Sequence, residues 1–213
     1  MAVVYASAAS AKTFALEPLI NACFTPDLRH AERVAALGAL GAKAATSDEM
    51  AKAIAASGIV SAVGAMQIPG GGTPESTNLK DLWAFAQEMS KLMLKRATDA
   101  AFPAELDVLK GDAAADEATA LVYSMGGVSW CYLMFPVDIA PEAIERLMGA
   151  PNEHHEYDFA TTTRYVVFRG DRPDHMIATR PTNGAFDPLL GFEPPALILY
   201  FPQVLTKPES SAP

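Results

Sequence analysis

The sequence predicts an α+β protein: N-terminal short helices followed by a mainly antiparallel sheet with a helix on one face. Three observations predict it. Apolar residues recur at helical spacing behind recognisable caps through residues 25–110. After Asp116 the period changes to two, most clearly over residues 128–135 and 163–180. The resulting order in the second half is strand, strand, helix, strand, strand, strand. An antiparallel sheet backed by a helix satisfies that order. The expected organisation is a mainly helical region over residues 1–111, an α+β sheet region over 112–203, and a disordered tail over 204–213. Whether the two halves share one core is open at this stage.

Residues 2–6 suit a short strand. Glu17-Pro18 opens a short helix through Phe24, with proline in the first turn, where its missing N–H is harmless. Thr25-Pro26-Asp27 reads as the next helix start, with a cap, a proline and an acid near the positive helix end. Val34, Leu37 and Leu40 follow at helical spacing. Thr46-Ser47-Asp48-Glu49 is a capping box, in which Thr46 and Glu49 satisfy each other's backbone donors. That helix is expected to bury Met50 and Ile54 and to stop near Gly58. Residues 58–68 fit a short buried helix or a strand equally well. Pro69-Gly70-Gly71-Gly72-Thr73-Pro74 reads as a connector, because it lacks the Gly-Lys-Ser/Thr ending of a phosphate-cradling loop. The strongest helix covers 79–98, where Leu82, Phe85, Met89, Leu92 and Met93 form one apolar stripe expected to face the core. Residues 104–110 are expected to add a turn or two of helix.

Residues 119–123 and 128–135 are β-type, with a Gly126-Gly127 turn between them. In the second run both alternating faces are apolar: Val128, Trp130, Tyr132 and Met134 on one, Cys131, Leu133 and Phe135 on the other. A central strand covered on both sides follows. Residues 141–148 form a short helix stopped by Gly149 and Pro151. Residues 163–180 form a hairpin, expected to turn through a five-residue loop, 170–174. Residues 196–201 are another buried strand.

Half of the 213 residues are hydrophobic and 19% are charged, so the chain is globular rather than disordered. The net charge is −9, with 10 basic against 11 acidic groups in residues 1–110 and 6 against 14 in 111–213. Such a balance argues against nucleic acid, which would need a basic face, and equally against an anionic membrane surface. No apolar run approaches the roughly 20 residues of a spanning helix. Cys23 and Cys131 sit in apolar runs and are expected as two buried free thiols. With no basic N-terminal run, the expected location is cytoplasmic.

The candidate site residues lie in the C-terminal half. If Arg169 faces His175 in the hairpin, Arg164 falls opposite Arg180. Two guanidiniums so placed need an anion between them: either an internal acid from Glu153, Glu156 or Asp158, or a small anionic ligand. The run Asn152-Glu153-His154-His155-Glu156-Tyr157-Asp158 is expected as a solvated loop. In an alternative reading His154, His155, Glu156 and His175 hold a divalent metal, although neighbours on an extended segment point to opposite sides. Arg169-Gly170-Asp171 reads as turn chemistry, and Trp83 and Trp130 as core. No nucleophile elbow or dinucleotide fingerprint occurs. The function expected is a non-catalytic binding or assembly subunit, oligomeric or bound to a protein partner. The alternative is a small-molecule enzyme or sensor with its pocket at the sheet. No cofactor is indicated by any motif.

Overall fold

The computed structural model of the protein describes residues 8–66, 79–99, 104–111, 118–169, 172–182 and 184–204. The expected strand at 2–6, the glycine-rich connector at 69–74 and the tail at 205–213 lie outside them. The helices are α1 (Ala8–Phe24), α2 (His30–Ala39), α3 (Ser47–Met66), α4 (Leu79–Thr98), α5 (Pro141–Met148) and α6 (Asp187–Leu190). The strands are β1 (Lys43–Ala44), β2 (Ala104–Lys110), β3 (Thr119–Met125), β4 (Val128–Phe135), β5 (Glu153–Tyr157), β6 (Ala160–Arg169), β7 (Arg172–Pro181) and β8 (Leu197–Val204). They form one sheet in the order β1-β2-β3-β4-β8-β7-β6-β5, antiparallel at every pairing.

The α+β class and the antiparallel sheet are as expected, but helices cover both faces rather than one. Strand alternation divides the core accordingly. One face carries Cys131, Leu133, Phe135, Tyr165, Met176 and Phe201, and packs against α1, α2 and α5. We call it the disulfide face, because Cys23 at the end of α1 is bonded to Cys131 of β4, 108 residues away. The expectation of two free thiols is thereby corrected. Both residues are buried as expected, and no sequence signal brings α1 onto β4. The other face carries Leu121, Tyr123, Tyr132, Met134 and Ile198, and packs against α3, α4 and α6. We call it the aromatic face.

Several elements differ from expectation for local reasons. Pro18 lies inside α1 rather than opening a helix. Thr25-Pro26-Asp27 ends α1 instead of starting α2: the Thr25 hydroxyl donates to the Asn21 carbonyl at 2.6 Å, and Asp27 turns the chain at φ 59°. The capping box at Thr46 forms as expected, its N–H donating to Glu49 Oε2 at 2.9 Å. Gly58 does not stop α3. The helix runs on to Met66, and at Gly58 α4 packs close against it. A Cβ there would sit 3.3 Å from Ala86 Cβ and 3.5 Å from Ser90 Oγ. Residues 104–110 are strand, not helix, because β3 offers a full ladder from Ala104↔Met125 to Lys110↔Thr119. Gly126 and Gly127 both have positive φ, as a two-residue hairpin turn requires. The α5 helix starts at Pro141 and ends at Gly149 with φ 84°, as predicted.

The stripe on α4 is rotated from its expected position. Leu82, Trp83 and Ala86 are buried, whereas Phe85 is 49% and Met89 42% exposed. The small residues Ala86 and Ser90 allow α4 to approach Gly58, and that contact sets which face turns inward. Among the described residues, no helix is long and apolar enough to cross a membrane.

Candidate ligand pocket on the aromatic face

Four rings on β3, β4 and β8 project to the aromatic face because their positions share one strand phase. The register sets Tyr123 opposite Trp130 and Tyr132 opposite Tyr200. Each pair stacks, with centroids 5.2 Å and 4.7 Å apart. These rings floor a space of about 270 Å³. One wall is Ser57 of α3 and Ser90 of α4, and Met89 and Met93 close the outer side. Arg96, in the last turn of α4, stands at the edge. The volume takes roughly nine water-sized groups, which is the size of a small metabolite.

Of the described residues lining this space, Arg96 alone is charged. Burial raises the Tyr132 hydroxyl well above its usual value and pushes Tyr200 up to about 12, so the floor is neutral at physiological pH. Arg96 Nη1 lies 3.1 Å from the Met125 thioether, and its other interaction is with the Tyr123 hydroxyl. No carboxylate pairs with it among the described residues. The Ser57 hydroxyl donates to the Ile54 carbonyl at 2.8 Å, and Ser90 donates to the Ala86 carbonyl at 3.0 Å. Both serines therefore present lone pairs to the space.

Two other clefts have less to offer a ligand. One of about 390 Å³ lies beside α3, and four of its five charges are already paired, Lys110 with Glu49 and Lys52 with Asp48, each at 2.7 Å. One of about 530 Å³ is lined by Pro181, Pro194 and Pro195 with Asp187 and Glu193 at the rim.

The structure separates the arginines selected from the sequence. Arg169 pairs with Arg172, so only residues 170 and 171 lie between β6 and β7. The assumed five-residue loop is corrected: Pro173 and Asp174 belong to the ladder, opposite Phe168 and Val167. Two-residue connections are the commonest in hairpins, and this one adds pairs to the ladder. The shift of three residues is odd, so it also exchanges faces. Arg164 stands opposite Ile177 on the aromatic face, and Arg180 opposite Thr161 on the disulfide face. No anion is shared between them. Arg164 meets Glu153 at 3.4 Å, while Arg180 Nε donates to Asp138 at 2.9 Å and its Nη2 to the Ile139 carbonyl at 2.9 Å. Glu153 was among the acids expected; Asp138 was not.

Residues 153–157 are the edge strand β5 rather than a loop, and they are solvent-exposed for most of their length. Alternation splits the histidine set. His154 faces Thr163, its Nδ1 3.0 Å from that hydroxyl, and Glu156 lies on the same side. His155 and His175 share the opposite, aromatic face, but their partners Thr162 and Val166 are four residues apart on β6, roughly 13 Å. Among the described residues no three potential ligands converge. His175 Nδ1 accepts from Arg164 Nη2 at 3.2 Å. Burial, and then the guanidinium, lower its pKa, which keeps it neutral and able to accept.

Sequence reasoning missed a chain of groups on the disulfide face. His30 of α2 places Nε2 2.8 Å from Asp107 and Nδ1 3.1 Å from Ser124, whose hydroxyl donates to Ser129 at 3.0 Å. The residue types are those of a nucleophilic triad, but the accessibility is inverted. Ser124 is 3% exposed, while the Asp107 side chain is half open to solvent. None of the three clefts described reaches the serine. The arrangement fixes α2 to β2 and β3. Nearby, Arg33 donates to the Cys23 carbonyl, to the Leu28 carbonyl at 3.3 Å and to Gln203 at 2.6 Å. It thus satisfies backbone acceptors left open at the end of α1. Burial brings its pKa down to about 10.

The chain matches no protein-family model, no curated protein and no solved structure.

Proposed function

We propose that the protein is a non-catalytic binding module that receives a small, flat, largely apolar molecule between the sheet and the α3/α4 pair. The observation that carries this reading is the floor of stacked, neutral rings under a space whose walls are mostly apolar. Rings provide large contact area with little rotamer entropy to lose. The Ser-His-Asp grouping lies on the other face and its serine is closed to substrate, which favours binding over hydrolysis. Calorimetric titration with 2-naphthamide, a neutral bicyclic probe, tests the reading. Saturable binding, weakened about tenfold or more by Trp130→Leu, is expected. No heat of binding up to millimolar probe contradicts it.

A second observation favours a protein partner or self-association beside this role. Phe85, Met89 and Leu92 leave an apolar strip exposed along α4. Sedimentation at rising concentration is expected to show association that Phe85→Glu abolishes; a monomer at every concentration leaves only a hetero-partner. The acidic balance argues against nucleic acid as a partner. The cytoplasmic location expected from the sequence stands against the disulfide, since such bonds are rare in reducing compartments. Counting free thiols in protein trapped directly from cells decides between them.

A further inference from the structure

We infer that the ligand of the aromatic pocket is a planar carboxylate, with its ring on the tyrosine–tryptophan floor and its anionic end held by Arg96. The inference rests on the binding role proposed above and adds the chemical class of the ligand.

Four features converge on it. Arg96 is the one charged group among the described residues lining the space, and no carboxylate there neutralises it. This is unusual in a chain of net charge −9, where acids outnumber bases. The other arginines with described side chains and close contacts, Arg33, Arg164 and Arg180, each have oxygen acceptors. Arg96 instead rests on a thioether and the neutral Tyr123 hydroxyl, with no carboxylate or carbonyl partner among the described residues, which leaves most of its N–H groups unused. The Tyr200 hydroxyl also lines the space. A guanidinium matches a carboxylate with two parallel hydrogen bonds. Finally, the rings of the floor are neutral, so nothing on it repels an anion. Serine lone pairs on the opposite wall accommodate a ring N–H or hydroxyl.

The signal is visible in the sequence once the phase of α4 is known. Arg96 follows Phe85, Met89 and Leu92 on the same side of the helix, at a position where another apolar residue would continue the strip.

The test compares 2-naphthoate with 2-naphthamide, which match in shape and differ in charge. Both are titrated calorimetrically into the wild type, Arg96→Gln and Arg96→Lys, with melting curves confirming that the variants fold. The expected result is at least tenfold tighter binding of naphthoate by the wild type, a preference abolished in Arg96→Gln and partly kept in Arg96→Lys. Binding of naphthamide should change little in either variant. If the wild type binds both probes equally, the carboxylate inference is overturned while the pocket stands. If naphthoate is preferred but Arg96→Gln keeps the preference, the anion is held elsewhere and the inference is again wrong. If neither probe binds, the pocket reading fails with it.

Discussion

The two faces of the sheet are built from the same strands and do opposite things with polar groups. On the disulfide face, polar side chains largely answer one another, although the buried Arg33 Nε has no hydrogen-bond partner among the described residues. Arg33 meets Gln203 and the end of α1, and His30 bridges Asp107 and Ser124, while a disulfide joins helix to strand. On the aromatic face the hydroxyls and a guanidinium border an open space with hydrogen-bonding capacity to spare. Satisfied polar networks specify a fold, whereas unspent donors beside an apolar surface are what recognition needs. The comparison assigns stability to one face and function to the other, and the following changes break or sharpen it.

The largest effect is expected at Arg33. Its removal leaves the Cys23 and Leu28 carbonyls and the Gln203 amide oxygen without their donor, deep in the protein. Arg33→Ala should destabilise by about 3–5 kcal/mol, read from denaturant midpoints at constant m-value. Binding of 2-naphthoate by the folded fraction should be unaltered. A loss below about 1 kcal/mol would mean that the face is not held by this clamp.

On the aromatic face Gly58 sets the spacing of α3 and α4. Gly58→Leu should cost about 1–3 kcal/mol through overpacking against Ala86 and Ser90, and should also weaken ligand binding. Unchanged affinity alongside lost stability would uncouple the helix contact from the pocket.

A smaller effect concerns pH. His175 is held below its ordinary value of 6.5 by burial and by Arg164. The folded state therefore binds fewer protons than the unfolded state just below pH 6.5. The His175 contribution is complete above that value and diminishes as pH falls toward the lowered one. Stability of the wild type should decline over this window more steeply than that of His175→Gln, a difference that pH-resolved melting would detect.

The smallest effect is expected at Phe85. Exposed by half, its side chain should contribute little, and Phe85→Ala should change stability by less than about 0.5 kcal/mol. A cost of several kcal/mol would return the strip to the core.

The last case shows where the sequence was legible and where it was not. The period of α4, the capping box at Thr46, the α5 boundaries and the two-sided β4 strand all depend on local chemistry, and each was readable. The rotation of α4 was not, because hydrophobicity favours Phe85 over Ala86 and only the close approach at Gly58 reverses that choice. The hairpin register failed for a related reason. Pro173 and Asp174 carry turn propensity, yet pairing with Phe168 and Val167 outweighs it, and an odd shift moved Arg164 and Arg180 to opposite faces. The residues of the pocket lie on α3, α4, β3, β4 and β8, far apart in sequence, and only the fold gathers them. His30, Asp107 and Ser124 were hidden in the same way.

Methionine-methyl NMR tests the division of labour most directly. Met89, Met93 and Met125 line the pocket, while Met148 and Met176 are buried on the disulfide face. On titration with 2-naphthoate the first three methyl signals should shift in a saturable way, and the last two should stay fixed. Shifts of Met148 and Met176, with the pocket methyls unmoved, would place recognition on the face assigned here to stability and contradict the account.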